Sequence, residues 1–188
     1  MIDNLAKQLL KMHFERDHVY HVFNQGNNRQ KTFVTDNDYE LFLTYFEKLI
    51  LPHGDAISYC LMPNHFHLML FTRSSCERKK QQGGIVIDML TDGLRNLLSR
   101  YTRVFNARYE KTGSLFRQKT KAILLTGEST GNGLSDVANC FLYIHNNPVA
   151  AGLAKEPELW KWSSAAYYAG LVENSICNKQ LANALSLI

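Results

Sequence analysis

The chain has 188 residues, 45% of them hydrophobic, and a formal net charge of +4. That length suits one ordinary domain and that composition can bury a core, which excludes a disordered tail. No apolar run has membrane-spanning length, Met1 to Gln8 lacks a signal-peptide layout, and Cys60, Cys76, Cys140 and Cys177 form no C-x-x-C pair; a reducing, cytoplasmic, bacterial setting is expected and a zinc knuckle is not.

In chain order, residues 1–16 read as an N-terminal extension, 17–170 as the domain and 171–188 as a C-terminal tail. Val19 to Phe23 is the first strand, followed by a polar loop, Asn24 to Arg29, in which Gly26 is the expected positive-φ position. Asp36 or Asn37 caps a helix that carries Tyr39, Phe42, Leu43, Phe46, Leu49 and Ile50 at helical spacing, and Pro52-His53-Gly54 breaks it. Ile57 to Leu61 and His65 to Phe71 are two strands joined tightly through Met62-Pro63-Asn64. A charged loop, Thr72 to Gly84, leads to an amphipathic helix from Ile85 to about Tyr101, and a further strand runs from Ser114 to about Leu125. Gly127 to Gly133 is glycine-rich but lacks the G-x-x-x-x-G-K-S/T layout, so it reads as a flexible joint and not a phosphate loop.

After the joint, Leu134, Val137, Ala138 and Phe141 recur at helical spacing, with Ser135 as N-cap and Asp136 suited to the first turn. Pro148 disfavours helical geometry at Asn147, so the helix is expected to end there. Trp160 and Trp162 suit a C-terminal core, with base stacking as the other reading. The order β-α-β-β-α-β-α predicts an α+β fold: a ferredoxin-like antiparallel sheet with helices packed on one face.

Two constellations carry chemistry. In the stretch Tyr59 to Leu70, strand alternation points His65, His67 and Met69 one way and Phe66, Leu68 and Leu70 the other. Two imidazoles on one face of a rigid strand form a ligand pair for a divalent metal, although spacing alone serves two half-buried core histidines equally well. A hydrolytic zinc motif would need Asp and His where Met69 and Leu70 stand, and a zinc deaminase would need a P-C-x-x-C run. Far along the chain, Tyr143 and Asn147 stand one helical turn apart on one face. A phenol there can act as a nucleophile on phosphorus, and an amide oxygen can complete a metal shell; a lone tyrosine would otherwise be read as a core aromatic. His145, two residues on, belongs to a different helix face and reads as structural. Basic residues gather in three groups: Arg73, Arg78, Lys79 and Lys80; Arg95, Arg100, Arg103 and Arg108; and Lys111, Arg117, Lys119 and Lys121. Each group alone is compatible with solvated surface, and together they suit phosphate contacts.

Five segments stand in one order: Asn24 to Gln30, Tyr59 to Leu70, Gly113 to Gln118, Tyr143 to Gly152, and Trp162-Ser163-Ser164. In that order, across roughly Val19 to Gly170, the chain resembles the REP-associated tyrosine transposases, within the single-tyrosine HUH endonuclease-type transposases. The resemblance implies that His65, His67 and Asn147 bind a catalytic Mg²⁺ or Mn²⁺, and that Tyr143 is the nucleophile. In the insertion-sequence branch of that family a glutamine stands where Asn147 does. The implied reaction is cleavage and rejoining of single-stranded DNA through a 5′-phosphotyrosine, on hairpins of repeated extragenic palindromes. Arg95, Arg100, Arg103, Arg117, Lys119 and Lys121 would then grip DNA, with Asn28 and Arg29 near a single-stranded guide. The enzyme would work at the nucleoid, as a monomer or as a homodimer that exchanges the tyrosine helix. The alternative is a catalytically inactive, domesticated nucleic-acid-binding module, a repressor or RNA binder, on the same fold.

Overall fold

Strand alternation sorts the apolar residues onto two faces of one sheet, and the helices are assigned to those faces by what they can bury. The computed structural model describes residues 13–77, 79–82, 85–127 and 134–188. The proposed joint, apart from Gly127, and most of the N-terminal extension lie outside those residues. The sheet holds β1 (Val19–Gln25), β2 (Gly54–Met62), β3 (His65–Thr72) and a short strand, Lys121–Leu124, in the order β2-β3-β1-(121–124), all antiparallel. β2 and β3 meet in the expected tight turn, where Met62 pairs with His65.

On one face Val22, Leu61, Phe66, Leu68 and Leu70 pack against two helices, α1 (Asp36–Leu49) and α2 (Met89–Arg108). The helices supply Phe42, Phe46, Leu94, Leu97 and Tyr101 to this core. Each large apolar side chain so buried contributes about 1.5–3 kcal/mol relative to exposure. The two helices are also tied by a carboxylate. Asp38 closes the capping box of α1, accepting from the backbone N–H of Val34 and Thr35 at 2.9 Å each, and it pairs with Arg108 at the end of α2. Burial alone would raise the Asp38 pKa; the Tyr109 hydroxyl, those two amides and Arg108 outweigh it and hold the carboxyl below its usual range.

The opposite face carries Val19, Ile57, Cys60, Met62 and Met69. They are covered by Val137, Phe141 and Ile144 of a third long helix, α3 (Leu134–Ala150). The ferredoxin-like pair of helices therefore shares one face, as expected, while α3 lies across the face that displays His65 and His67. Chain order alone does not distinguish the two sides of a sheet.

Four local expectations need correction. The helix expected from Ile85 begins at Met89, because Asp88 caps it by accepting from the Thr91 N–H at 2.7 Å. Residues Ile85–Asp88 instead form β5, paired antiparallel with β4 (Lys79–Gln82), which lies in the expected loop. β-branched residues in the run Ile85-Val86-Ile87 favour the extended state. The strand expected from Ser114 shrinks to β6 (Lys121–Leu124), preceded by a single bridge between Gly26 and Phe116. Ahead of β6 the Asn24 side chain donates to Arg117 O and Thr120 Oγ1, between the backbone bond from Arg117 N–H to Gln25 O and the start of the β6 ladder. Helix α3 does not stop at Asn147 but continues through Pro148 to Ala150. A proline in the last turn forfeits only its own amide bond, and Ala151 and Leu153 still donate to Asn147 O and Pro148 O.

Gly26 is the fourth case. Its φ is −54°, and the left-handed positions of the loop are Asn28 and Arg29. Glycine is required at 26 because a Cβ would fall 2.1 Å from Gln30 O.

The C-terminal segment protects the β2 edge. Leu61 N–H donates to Trp162 O, Ser164 N–H to Tyr59 O and Asn178 N–H to Ala56 O. Trp162 stacks on Tyr39 at 4.5 Å and Trp160 Nε1 donates to Leu61 O, so both tryptophans pack. Two short helices, α4 (Ala165–Tyr168) and α5 (Lys179–Ala184), complete the chain, with Cys177 and Ala182 buried. Among the described residues, no helix is long and apolar enough to cross a membrane.

Candidate active site

The register of the sheet assembles the site. His67 pairs with Phe23 and Cys60, His65 with Gln25 and Met62, and Phe23 with Lys121 on its other side. One row across the histidine-bearing face thus reads Cys60, His67, Phe23, Lys121. Helix α3 buries Val137, Phe141 and Ile144, which places Tyr143 off the buried stripe. The Tyr143 side is 53% exposed, and its ring stands edge-on to His67, centroids 5.4 Å apart, and to His21 at 6.1 Å. The phenol therefore lies beside the histidine pair and faces solvent as well.

Both imidazoles are held through Nδ1. His65 Nδ1 is 2.6 Å from Asn64 Oδ1, an atom that only accepts, so His65 donates there and leaves Nε2 open. His67 Nδ1 is 2.9 Å from His21 Nε2. Burial, with smaller contributions from His21 and His65, pushes the His67 pKa down to about 3, and burial alone takes His21 to about 4. Burial also lowers His65, an effect partly offset by its contact with the Asn147 side chain. At neutral pH the pair therefore offers uncharged nitrogens, the state a metal ligand requires. Asn147 also donates to Tyr143 O at 2.7 Å, which fixes it one turn below the tyrosine and against His65. Two imidazole Nε2 atoms and one amide oxygen would make a neutral, incomplete ligand set. It fits a divalent ion that keeps water and phosphate oxygens in its shell, such as Mg²⁺ or Mn²⁺. Among the described residues, no three His, Cys, Asp or Glu gather as a metal site of their own.

Beside these groups lies a cleft of about 240 Å³, with His65, His67, Phe23 and Tyr143 lining it together with Arg117, Lys119 and Lys121. The Lys121 ammonium sits 5.6 Å over the Phe23 ring. Asn28 and Arg29 belong to the loop after β1. Gly26 N–H donates to Asn64 O, and Asn64 Nδ2 reaches Arg29 O at 3.5 Å, which sets this loop beside His65. Arg95, Arg100 and Arg103 belong to α2, behind the sheet, and do not join the cleft. His145 is structural: it is buried, 2.8 Å from Ser164 Oγ, with its ring against Phe141 and Tyr168.

His21 is the residue that reading the sequence overlooked. Its signal was present: it shares strand parity with Val19 and Phe23, and antiparallel pairing with β3 puts it diagonal to His67.

The three buried imidazoles, His21, His67 and His145, also make a stability prediction. Burial lowers all three folded-state pKa values, with His145 also at about 4. Below the unfolded value near 6.5, the unfolded chain takes up these protons first. The groups have little effect above about pH 7. They remove stability as pH falls from 6.5 towards 4, at about 1.4 kcal/mol per pH unit each. Urea midpoints should fall between pH 7.5 and pH 5.0; equal midpoints would contradict the buried neutral assignment.

No protein-family model matches this chain, and no curated protein is similar to it in sequence. Solved structures are. A REP-associated tyrosine transposase bound to a REP hairpin matches with a TM-score of 0.61 over 89% of this chain and 92% of that one, at 12% identity. A bacterial tRNA(His) guanylyltransferase-like protein in complex with ATP matches with a TM-score of 0.44, at 12% identity, over 80% and 67% of the two chains. The first likeness extends over nearly the whole of both chains and shows a shared fold.

Proposed function

We propose that this chain, which has the fold of a REP-associated tyrosine transposase, is a HUH-type transposase that cuts and rejoins single-stranded DNA. The observation that carries the proposal is the half-exposed Tyr143 ring beside His67, with Asn147 one turn below it against His65. Such a convergence of residues from a strand and a distant helix has no packing purpose that would require an open phenol.

In the proposed reaction Tyr143 Oη attacks the scissile phosphorus. A bond forms between Oη and phosphorus and the P–O3′ bond breaks, so the fragment downstream of the cut is held by its 5′-phosphate on Tyr143 and the upstream fragment leaves with a 3′-hydroxyl. The phenolic proton balances the one gained by the leaving oxygen. A Mg²⁺ or Mn²⁺ ion held by His65, His67 and Asn147 would polarise the phosphate and stabilise the charge that develops on it. The phosphodiester energy is retained, so a second 3′-hydroxyl can reverse the step without ATP. Arg117, Lys119 and Lys121 hold the strand by its phosphates, and Asn28 and Arg29 lie close enough to His65 to meet its flank. The preferred substrate is a hairpin with a single-stranded flank, encountered at the bacterial nucleoid. A monomer that keeps Tyr143 beside its own histidines would make one cut, and a homodimer would supply two.

The test incubates the full chain with a hairpin oligonucleotide carrying a single-stranded flank, with Mn²⁺ or with EDTA, followed by a denaturing gel. A covalent protein–DNA band that requires the metal supports the proposal. Tight binding with no band in either condition would favour the inactive binding module. Neutralising Arg117, Lys119 and Lys121 together should weaken binding and flatten the dependence of log K on log salt by about 2, since each single-strand phosphate contact contributes roughly 0.7. A triple variant whose salt slope matches the parent would place the strand elsewhere.

A further inference from the structure

We propose that His21 is a positioning residue for the histidine pair: its Nε2 accepts the Nδ1 proton of His67 and thereby keeps His67 Nε2 open for a divalent cation. The inference rests on the metal-dependent reading above and adds a residue to it. The two rings lie nearly parallel, 24° apart, with centroids separated by 5.1 Å. His21 and His67 are 7% and 5% exposed, so water has little access to replace either partner.

The chemistry follows from counting protons. Two neutral imidazoles share one hydrogen bond, and it can run in two directions. If His21 Nε2 donates, the proton of His67 must sit on its own Nε2, where it blocks a cation. If His67 Nδ1 donates, Nε2 carries a free lone pair and the proton of His21 sits on its Nδ1. Only the second arrangement can bind a metal through Nε2, and it carries the same total number of protons as the first, so a neutral pair can adopt it when His21 Nε2 serves as acceptor. The neighbouring ligand differs. His65 donates to an amide oxygen, an acceptor with no second option, so its Nε2 is open in either case. Of the two ligands, His67 therefore depends on a partner that can switch.

The test uses the full chain labelled with ¹⁵N. Long-range ¹H–¹⁵N spectra report the tautomer of His67 with and without diamagnetic Mg²⁺, and calorimetry gives the Mn²⁺ affinity. In the parent protein, saturation with Mg²⁺ should leave the His67 proton on Nδ1. His21→Phe removes the acceptor and keeps the ring volume; Mn²⁺ affinity should drop by roughly 10–100-fold, the usual loss when the partner of a ligating histidine is removed. His21→Gln offers an amide oxygen at the end of a long side chain and should recover most of the affinity, while the shorter His21→Asn should not. Should His21→Phe fail to fold, the Gln and Asn pair decides the matter. Unchanged tautomer and unchanged affinity in His21→Phe, or equal binding by Gln and Asn variants, would overturn the assignment. If the parent chain binds neither cation, the metal reading itself falls. The metal-free spectra then decide the positioning role, which is overturned if the His67 tautomer is the same in parent and His21→Phe.

Discussion

Tyr143→Phe is expected to abolish the covalent protein–DNA band while leaving the fold and DNA binding in place. The side chain is about half exposed and off the buried stripe of α3, so loss of its hydroxyl should change stability by no more than about 0.5 kcal/mol. Chemistry has no such tolerance, because a phenyl ring has no oxygen to join to phosphorus. Other tyrosines are poorly placed to substitute. Tyr101 is fully buried behind the sheet, its hydroxyl donating to Thr32 O and its ionisation strongly opposed by burial. Tyr109, at the end of α2, donates to Asp38. A band of undiminished intensity from Tyr143→Phe would mean that the nucleophile is another group and would remove the basis of the proposed mechanism.

Removing the histidines is the second large effect, and the two should not behave alike. His65→Ala is expected to lower cleavage by at least about 100-fold, comparable to the loss of one group that stabilises transition-state charge. Mn²⁺ binding by calorimetry should weaken in parallel. His65 is partly exposed and its Nδ1 partner Asn64 lies in a surface turn, so the cost in stability should be small. His67→Ala should lose as much activity and also unfold more readily. It leaves His21 Nε2 without its partner inside the sheet, an omission that costs about 1–3 kcal/mol. Denaturant melts beside the cleavage assay separate the two cases. Equal stability losses would mean that the His21–His67 contact contributes nothing, and a fully active His65→Ala would remove this histidine from the site.

Much of the architecture was legible in the residues because it depends on short-range rules. Period-two alternation identified β1, β2 and β3 and put His65 and His67 on one face. Helical spacing identified α1 and α3 and put Tyr143 above Asn147. Where these rules failed, side-chain hydrogen bonds had intervened: Asp88 starting α2 late, and Asn24 occupying the approach to β6. Pro148 failed differently, since its position in the last turn made the forfeited bond a minor loss against the packing of Phe141 and Ile144.

What the residues determined by themselves was the chemical inventory: an imidazole pair on a strand, a phenol and an amide one turn apart on a helix, and cations near both. Only the tertiary structure decided which of these meet. Helix α3 crosses the histidine face because its apolar stripe matches Cys60, Met62 and Met69 there, while α1 and α2 fill the other side. That choice brings Tyr143 to His67, leaves the α2 arginines behind the sheet, and lets β1 contribute His21, a residue with no local signature. Strand register and the choice of face depend on long-range burial, summed over residues far apart in the chain, and no window along the sequence contains that sum.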